Sequence, residues 1–260
     1  MRVLRLTGAI EEKILAQRRG RDRVAERAAA RIVRDVQRRG DAALFYWTKR
    51  FDRLKLQRNN VWVTRDELRS ASRRVSAAFL EAVDHAARNI RAVARRQKPQ
   101  EWSFQVEPGV RASQRVRPIE WVGCYVPGGR FSLASTLLMT AIPAQEAGVR
   151  NVVIVSPQPG DELLAAAERL GLWQIARVGG AQAIAALAYG TQSIPRVDKI
   201  FGPGNRYVTA AKRLVSADCA IDLLAGPTEA VGFAASGSPA FIAADLLAQA
   251  EHDRTPSRSS

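Results

Sequence analysis

Two side chains near the end of the chain could bind a metal ion. Gln249 and His252 lie three residues apart in the stretch A-D-L-L-A-Q-A-E-H-D, so on a helix they share one face. A closed zinc site prefers four Cys or His ligands, so spacing alone does not define a site and an ordinary helix surface remains the simpler interpretation. The other histidine, His85, has no ligand beside it, and we interpret it as structural.

Three glycine-rich turns could bind a phosphate or a nucleotide. They read P-G-G-R at 127–130, V-G-G-A-Q at 178–182 and F-G-P-G-N at 201–205, and each precedes a predicted helix. A helix N-terminus offers free N–H groups and a positive dipole end to an anion. Glycine can also serve only the turn or close helix packing, but three such turns together favour a ligand site. Tyr207 replaces the third glycine of G-x-G-x-x-G, so a dinucleotide site would be non-standard.

A fourth turn carries polar side chains. In I-D-L-L-A-G-P-T-E, the tight turn at Gly226 and Pro227 is predicted to present Thr228 and Glu229 at the start of a strand. A turn that merely has a polar edge explains the same residues.

The turns need a parallel sheet to bring them together. From about residue 119, a strand, a turn and a helix recur four times, which predicts a parallel sheet wrapped by helices. Strands such as N-V-V-I-V lack polar alternation, as expected when both faces are buried. Further strands are predicted at 220–222 and 230–235, before a last helix from about Pro239. Ligands bind such sheets at the carboxyl ends of the strands, where these turns lie.

The first part of the chain is predicted to be mainly helical. Residues 21–52 form two helices, with Gly40 as the C-cap of one and Asp41 as the N-cap of the next. Thr64 with Glu67 is a capping-box pattern.

A long helical region follows that capping box. It is expected to run to about Gln97, because Pro99 disfavours helix in the residue before it. The alternation around E-P-G at 104–117 then predicts a hairpin.

Length and composition indicate a cytoplasmic globular protein. The 260 residues are 47% hydrophobic, enough for one large domain or two ordinary ones. A run of about 18 apolar residues and a signal-peptide pattern are both lacking, so no membrane partner is expected. Cys124 and Cys219 have no close spacing and are interpreted as reduced thiols.

Positive charge is concentrated in the first half. Residues 1–118 hold 29 of the 40 lysines and arginines but only 13 of the 25 acidic residues. One interpretation is binding to nucleic acid or an acidic surface. The arginines are scattered through helical periods without interleaved aromatics, which favours solvated helix faces and no specific nucleic-acid partner.

The motifs together resemble histidinol dehydrogenase. They are G-C-Y-V-P-G-G, V-G-G-A-Q-A-I-A-A-L-A-Y-G-T, K-I-F-G-P-G-N, I-D-x-x-A-G-P-T-E and A-D-L-L-A-Q-A-E-H, in this order and spacing. The likeness runs from near the N-terminus to about Asp253, and close relatives act on other small alcohols.

The resemblance implies an activity, cofactors and site residues. It implies oxidation of L-histidinol to L-histidine through histidinal, with two hydride transfers to NAD, a zinc ion, and a homodimer whose active sites share residues. Carried onto this sequence, the NAD contacts are Tyr125, Gln182 and Asn205. Thr228 matches a substrate-contacting hydroxyl. Gln249 and His252 match two zinc ligands that also lie near the substrate.

The resemblance also implies an α/β fold with two Rossmann-like parallel-sheet units and a helical N-terminal region, the second unit being incomplete. Residues 119–227 would form the nucleotide-binding-like unit. Residues 1–118, with 228–253, would form part of the other. The tail at 254–260, R-T-P-S-R-S-S, no longer resembles the family.

The family's general base, a Glu-His pair, and its other two zinc ligands match nothing in this sequence. We therefore expect a C-terminally truncated member with no catalytic residue of its own and little turnover alone, since alcohol oxidation needs a proton acceptor. A smaller departure is Gly232, where the family usually has a bulkier apolar residue.

Two other functions remain open. One is a related dehydrogenase for another small alcohol, such as a sulfonated diol. The other is a non-catalytic protein that binds through its basic helices, which would show salt-sensitive nucleic-acid binding.

Overall fold

The computed structural model describes residues 8, 22–128, 133–224 and 235–252. The chain forms two compact units, residues 1–224 and 225–260. Thr228, most of the predicted strand at 230–235 and the tail at 254–260 lie outside the described residues, so the predictions on them are untested. The division of the chain into 1–118, 119–227 and 228–253 likewise stays a prediction.

The first unit is built on a parallel sheet. The strands of the described residues are β1 (Trp102–Glu107), β2 (Val110–Gln114), β3 (Trp121–Tyr125), β4 (Asn151–Val155), β5 (Ile175–Ala176), β6 (Lys199–Phe201) and β7 (Ala220–Ile221). The last five form one sheet in the order β5-β4-β3-β6-β7, with every neighbouring pair parallel. The predicted α/β fold with a parallel sheet is confirmed.

Helices cover both faces of this sheet. They are α1 (Arg23–Arg39), α2 (Asp41–Asp52), α3 (Arg65–Arg74), α4 (Ala77–Gln97), α5 (Ala134–Ala147), α6 (Asp161–Arg169), α7 (Gly180–Tyr189) and α8 (Arg206–Val215). Buried side chains of α1, α2, α7 and α8 share one core with the sheet. Those of α3 to α6 share the other. The N-terminal helices thus complete both layers around the strands that carry the turns.

Successive side chains of β3 point to opposite faces of the sheet and so contribute to both cores. Tyr125 belongs to the core beneath α7, whereas Val122 and Cys124 belong to the core beneath α5. Gly123 is the point of closest approach, because a Cβ there would lie 2.8 Å from a methyl carbon of Leu187 on α7. The bare backbone therefore lets α7 sit directly on the central strand.

The predicted caps are partly confirmed. The Thr64 side chain accepts from Glu67 N and the Glu67 side chain accepts from Thr64 N, which completes the capping box. Gly40 ends α1 with φ of 56°, as predicted. The prediction of Asp41 as an N-cap is wrong: Gly40 is the N-cap and Asp41 is the first helical residue. Its carboxylate instead accepts from the backbone N–H and hydroxyl of Ser193, a contact that local sequence does not show.

The long helical region predicted up to about residue 97 is two helices. Val75 and Ser76 are both extended, and the Ser76 hydroxyl accepts from Phe79 N to start α4. A serine that satisfies a free N–H at this point favours a new helix start over continuation. The hairpin around E-P-G is confirmed as the antiparallel pair β1 and β2, with Gly109 at φ of 84° in its turn.

The second unit contains α9 (Pro239–His252), which confirms the predicted last helix and carries Gln249 and His252 near its end. None of the described helices is long and apolar enough to cross a membrane.

Candidate functional site

The strand order creates a crevice at the carboxyl edge of the sheet. From β3 the chain proceeds outward through β4 and β5, then returns to the other side of β3 to form β6 and β7. The connections on the two sides of β3 therefore run over opposite faces. In parallel sheets of this kind, ligands bind where the order reverses, here beyond the ends of β3 and β6.

Tyr125 ends β3 at this crevice. Its side chain is buried, and its hydroxyl accepts from Gly180 N at 3.1 Å. Burial, and to a lesser extent the nearby Asp52 charge, raises the pKa of Tyr125 to about 12, against the opposing effect of the Gly180 hydrogen bond. The side chain is therefore a neutral phenol whose own proton can still be donated.

Gln182 lies in the first turn of α7 and is only 1% exposed. Its Nε2 donates to Asp52 Oδ2 at 3.3 Å. Its Oε1 is buried and has no hydrogen-bond partner in the part of the chain that the structure describes. An unmet buried acceptor is uncommon in folded proteins and marks a position where a donor is expected.

Asn205 is the N-cap of α8. Its side-chain oxygen accepts from Tyr207 N at 3.0 Å and from Val208 N at 3.1 Å. The amide oxygen is thus engaged by the helix, and the amide nitrogen is the group that the cap leaves for other contacts.

Glycines in the three turns also serve close packing. Gly128 and Gly179 approach the same ring, because a Cβ at either position would lie within 2.7 Å of a Pro157 ring carbon. Gly202 has φ of +115°, and a Cβ there would lie 2.0 Å from the backbone oxygen of Tyr125. These glycines therefore allow close packing, and that role is compatible with ligand binding at the same turns.

A buried ion pair holds the turn at Gly202. Lys212, 2% exposed, donates from Nζ to the Gly202 backbone oxygen at 3.0 Å and pairs with Asp222. Asp222 Oδ2 in turn accepts from Gly202 N at 2.8 Å. Both polar groups of one glycine are thus bound by oppositely charged partners, which fixes the turn that leads to Asn205.

The structure brings some predicted site residues together. Tyr125 and Gln182 meet through Gly180, since Gly180 N donates to the phenol and a Cβ on Gly180 would lie 2.7 Å from Gln182 Oε1. Asn205 lies on the turn after the neighbouring strand β6. Gln249 and His252 belong to α9 in the second unit. Among the described residues, no group of three or more His, Cys, Asp or Glu side chains could hold a metal ion.

Three residues at this edge were missed in the sequence: Asp52, Lys212 and Asp222. Asp52 ends a helix and lies 130 positions from Gln182, so no local pattern joins them. Lys212 lies at helical spacing from Val208 and Val215, so a lysine on an otherwise apolar helix face was the available signal.

Two other sequence features have ordinary roles. His85 is exposed and its ring nitrogen lies 3.2 Å from Asn89 Nδ2. Several arginines of the basic half pair with carboxylates of later helices, among them Arg74 with Asp161 and Arg95 with Glu146. Such contacts fit solvated, mutually paired helix faces.

Comparisons with known proteins agree on one family. A family model for histidinol dehydrogenase matches residues 15–258. The chain is 46% identical over 243 residues to the histidinol dehydrogenase of Oceanobacillus iheyensis, covering 91% of this chain and 56% of that protein. It is 50% identical over 233 residues to that of Geobacillus kaustophilus, covering 87% and 54%.

A solved structure gives the same result. The crystal structure of histidinol dehydrogenase from Elizabethkingia anophelis is similar with a TM-score of 0.82 and 39% identity, covering 87% of this chain and 54% of that one. The chain spans about half the length of the curated relatives that it matches.

Proposed function

Because the chain belongs to the histidinol dehydrogenase family, we propose that it provides the NAD-binding part of an enzyme that oxidises L-histidinol to L-histidine through histidinal. The observation that supports this most is the buried oxygen of Gln182, which has no hydrogen-bond partner among the described residues and lies beside Tyr125 at the carboxyl edge of the sheet. A site of this kind suits a ligand that brings its own hydrogen-bond donor.

Three side chains would hold the dinucleotide. Gln182 Oε1 would accept from a ligand hydroxyl or amide, and the neutral Tyr125 phenol would donate. The Asn205 amide nitrogen would donate as well, because its oxygen already caps α8. The N-termini of α7 and α8 would favour the negative pyrophosphate. Bound NAD would supply the acceptor for the hydride that leaves the alcohol carbon.

We further propose that Gln249 and His252 contribute to zinc binding and contact the substrate, together with Thr228. Gln249 and His252 are three residues apart in the sequence, which is the spacing of neighbours on one helix face, and imidazole suits zinc. The pair supplies only half of a four-ligand shell, so these residues alone fit a weak site, and no catalytic step follows from them. A homodimer in the cytoplasm is part of the same proposal.

The experiment is a calorimetric titration of the purified 260-residue chain with NAD. We expect saturable binding that weakens at least tenfold in Gln182→Ala, since one lost hydrogen bond corresponds to roughly a factor of ten. Glu81→Gln, an exposed change on α4, is the matched control and should leave the affinity unchanged. Absence of NAD binding at millimolar concentration would contradict the proposal.

Substrate and turnover need separate measurements. With histidinol, NAD and zinc, we expect no more than trace NADH from this chain, because its residues include no match to the family's Glu-His base. Thermal stabilisation by histidinol with zinc, but not by a sulfonated diol, would identify the substrate class. Retention of nucleic acid on a filter at moderate salt would instead support a basic binding protein.

A further inference from the structure

The orientation of the Gln182 amide is set by its neighbour. An ionised carboxylate can only accept hydrogen bonds, so the amide group facing Asp52 must be the nitrogen. If the amide were reversed, Gln182 Oε1 would face the Asp52 carboxylate, so that two acceptors would lie against each other. Gln182 Nε2 would then point away from Asp52 and lose its hydrogen bond to the carboxylate. Asp52 therefore dictates that Gln182 Oε1 points away from it, towards Gly180.

The Asp52 carboxylate has no positively charged partner among the described residues. It is half-buried at the end of α2, and it forms no ion pair with any residue that the structure describes. Burial raises the pKa of Asp52, so keeping a carboxylate here is unfavourable in itself. Its charge also raises the pKa of Tyr125. The Asp52 carboxylate is thus hydrogen-bonded to Gln182, and its charge acts on the Tyr125 phenol.

The place of Asp52 is fixed by the backbone around it. Arg53, which follows, has φ of 59° and ends α2 in the left-handed region. The backbone oxygen of Asp52 accepts from Gln158 Nε2 at 3.4 Å, which joins the helix end to the loop after β4. Because the backbone at Asp52 is fixed by these two features, its carboxylate is able to impose an orientation on a neighbouring side chain.

We propose that Asp52 is a positioning residue of the dinucleotide site: it holds the Gln182 amide so that Oε1 faces the ligand as an acceptor for a hydroxyl or amide N–H. This rests on the proposed function and deepens it. It predicts that the Gln182 position recognises a donor group of the ligand, and that Asp52 acts through Gln182 and not by contacting the ligand.

The first test is a double-mutant cycle on NAD affinity. Asp52→Asn offers both a donor and an acceptor, so it no longer forces one amide orientation, and we expect NAD to bind roughly tenfold more weakly. In a Gln182→Ala background the same change should alter the affinity less than twofold. Asp66→Asn, an exposed aspartate with a 93% exposed side chain, is the matched control and should have no effect in either background.

An equal loss in both backgrounds would show that Asp52 acts independently of Gln182 and would overturn the proposal. So would unchanged NAD affinity in Asp52→Asn with the Gln182 side chain present. Thermal melting of each variant separates a general loss of stability, which would appear in both backgrounds, from the specific effect.

The second test does not depend on NAD. The side-chain amide protons of Gln182, assigned by their absence in Gln182→Ala, are followed by NMR in the unliganded chain. Asp52→Leu should shift them towards the positions of a free amide and speed their exchange with water. Unchanged resonances would refute the positioning role even if NAD binds, whereas shifted resonances in a chain that fails to bind NAD would refute only the proposed function.

Discussion

Replacing Gly202 with alanine tests the geometry of the turn after β6. The residue has φ of +115°, and an added Cβ would lie 2.0 Å from the Tyr125 backbone oxygen, whereas ordinary van der Waals contact begins at 3.4 Å. The turn must therefore move by more than an ångström, since the obstacle is backbone at the end of a central strand. That movement would break the 2.8 Å bond from Gly202 N to Asp222 and the 3.0 Å bond from Lys212.

The expected cost has two parts. A non-glycine residue in the left-handed region costs about 1–2 kcal/mol. Loss of both hydrogen bonds to charged partners adds about 1.5–3 kcal/mol for each bond. We therefore expect Gly202→Ala to lower the free energy of unfolding by about 4–8 kcal/mol, a large share of the stability of an ordinary domain.

Urea unfolding followed by fluorescence measures this loss as a lower midpoint with an unchanged slope. Gly171→Ala is the matched control, because Gly171 has φ of +71° and a Cβ added there would meet nothing within 4 Å. The control isolates the backbone term, about 1–2 kcal/mol. If the two variants unfold at the same urea concentration, the close approach of this turn to Tyr125 is not as the structure has it.

Three further results are expected. Lys212→Met should lower the free energy of unfolding by about 3–5 kcal/mol in urea, because it leaves Asp222 charged without its buried partner; a loss below about 1 kcal/mol would contradict the pairing. Burial raises the pKa of Asp41, but hydrogen bonds from Thr191 and Ser193 and the Arg58 contact outweigh it and hold that pKa below its usual value. Stability from Asp41 is therefore present above its unfolded pKa of about 4 and lost as pH falls through the lower folded value, so Asp41→Asn should flatten acid unfolding there, and an unchanged acid limb would count against it. Burial raises the pKa of Cys124 to about 12, so iodoacetamide at about pH 8 should leave this thiol unmodified until urea is added, as mass spectrometry would show.

Features with a local cause were predictable from the sequence. The capping box at Thr64 and Glu67 needs residues only three apart, and the buried strands are recognisable from runs such as V-V-I-V. Glycine-rich turns before helices indicated the carboxyl edge of the sheet as the place for the site. The family motifs supplied Tyr125, Gln182 and Asn205 as candidates, and their roles stay predictions.

Features with a distant cause were not predictable. Asp41 had the residue type of an N-cap, but a partner 152 positions away, Ser193, takes up its carboxylate. Asp52 carries no motif, and its importance depends on Gln182, which only the folded chain brings beside it. The long helical pattern before Pro99 hid a break, because Val75 and Ser76 each fit a helix when considered alone.

The Pro157 ring limits which residues can be substituted at two distant turns. Gly128 and Gly179 are far apart along the chain, yet a methyl group at either one would collide with the same proline ring. Substitution at either glycine is therefore constrained by Pro157. Neither glycine can be replaced by a residue with a side chain until the proline ring is replaced by a smaller side chain. Relatives with alanine at either glycine should carry a compensating small residue at the proline position, so the three sites should vary as a set.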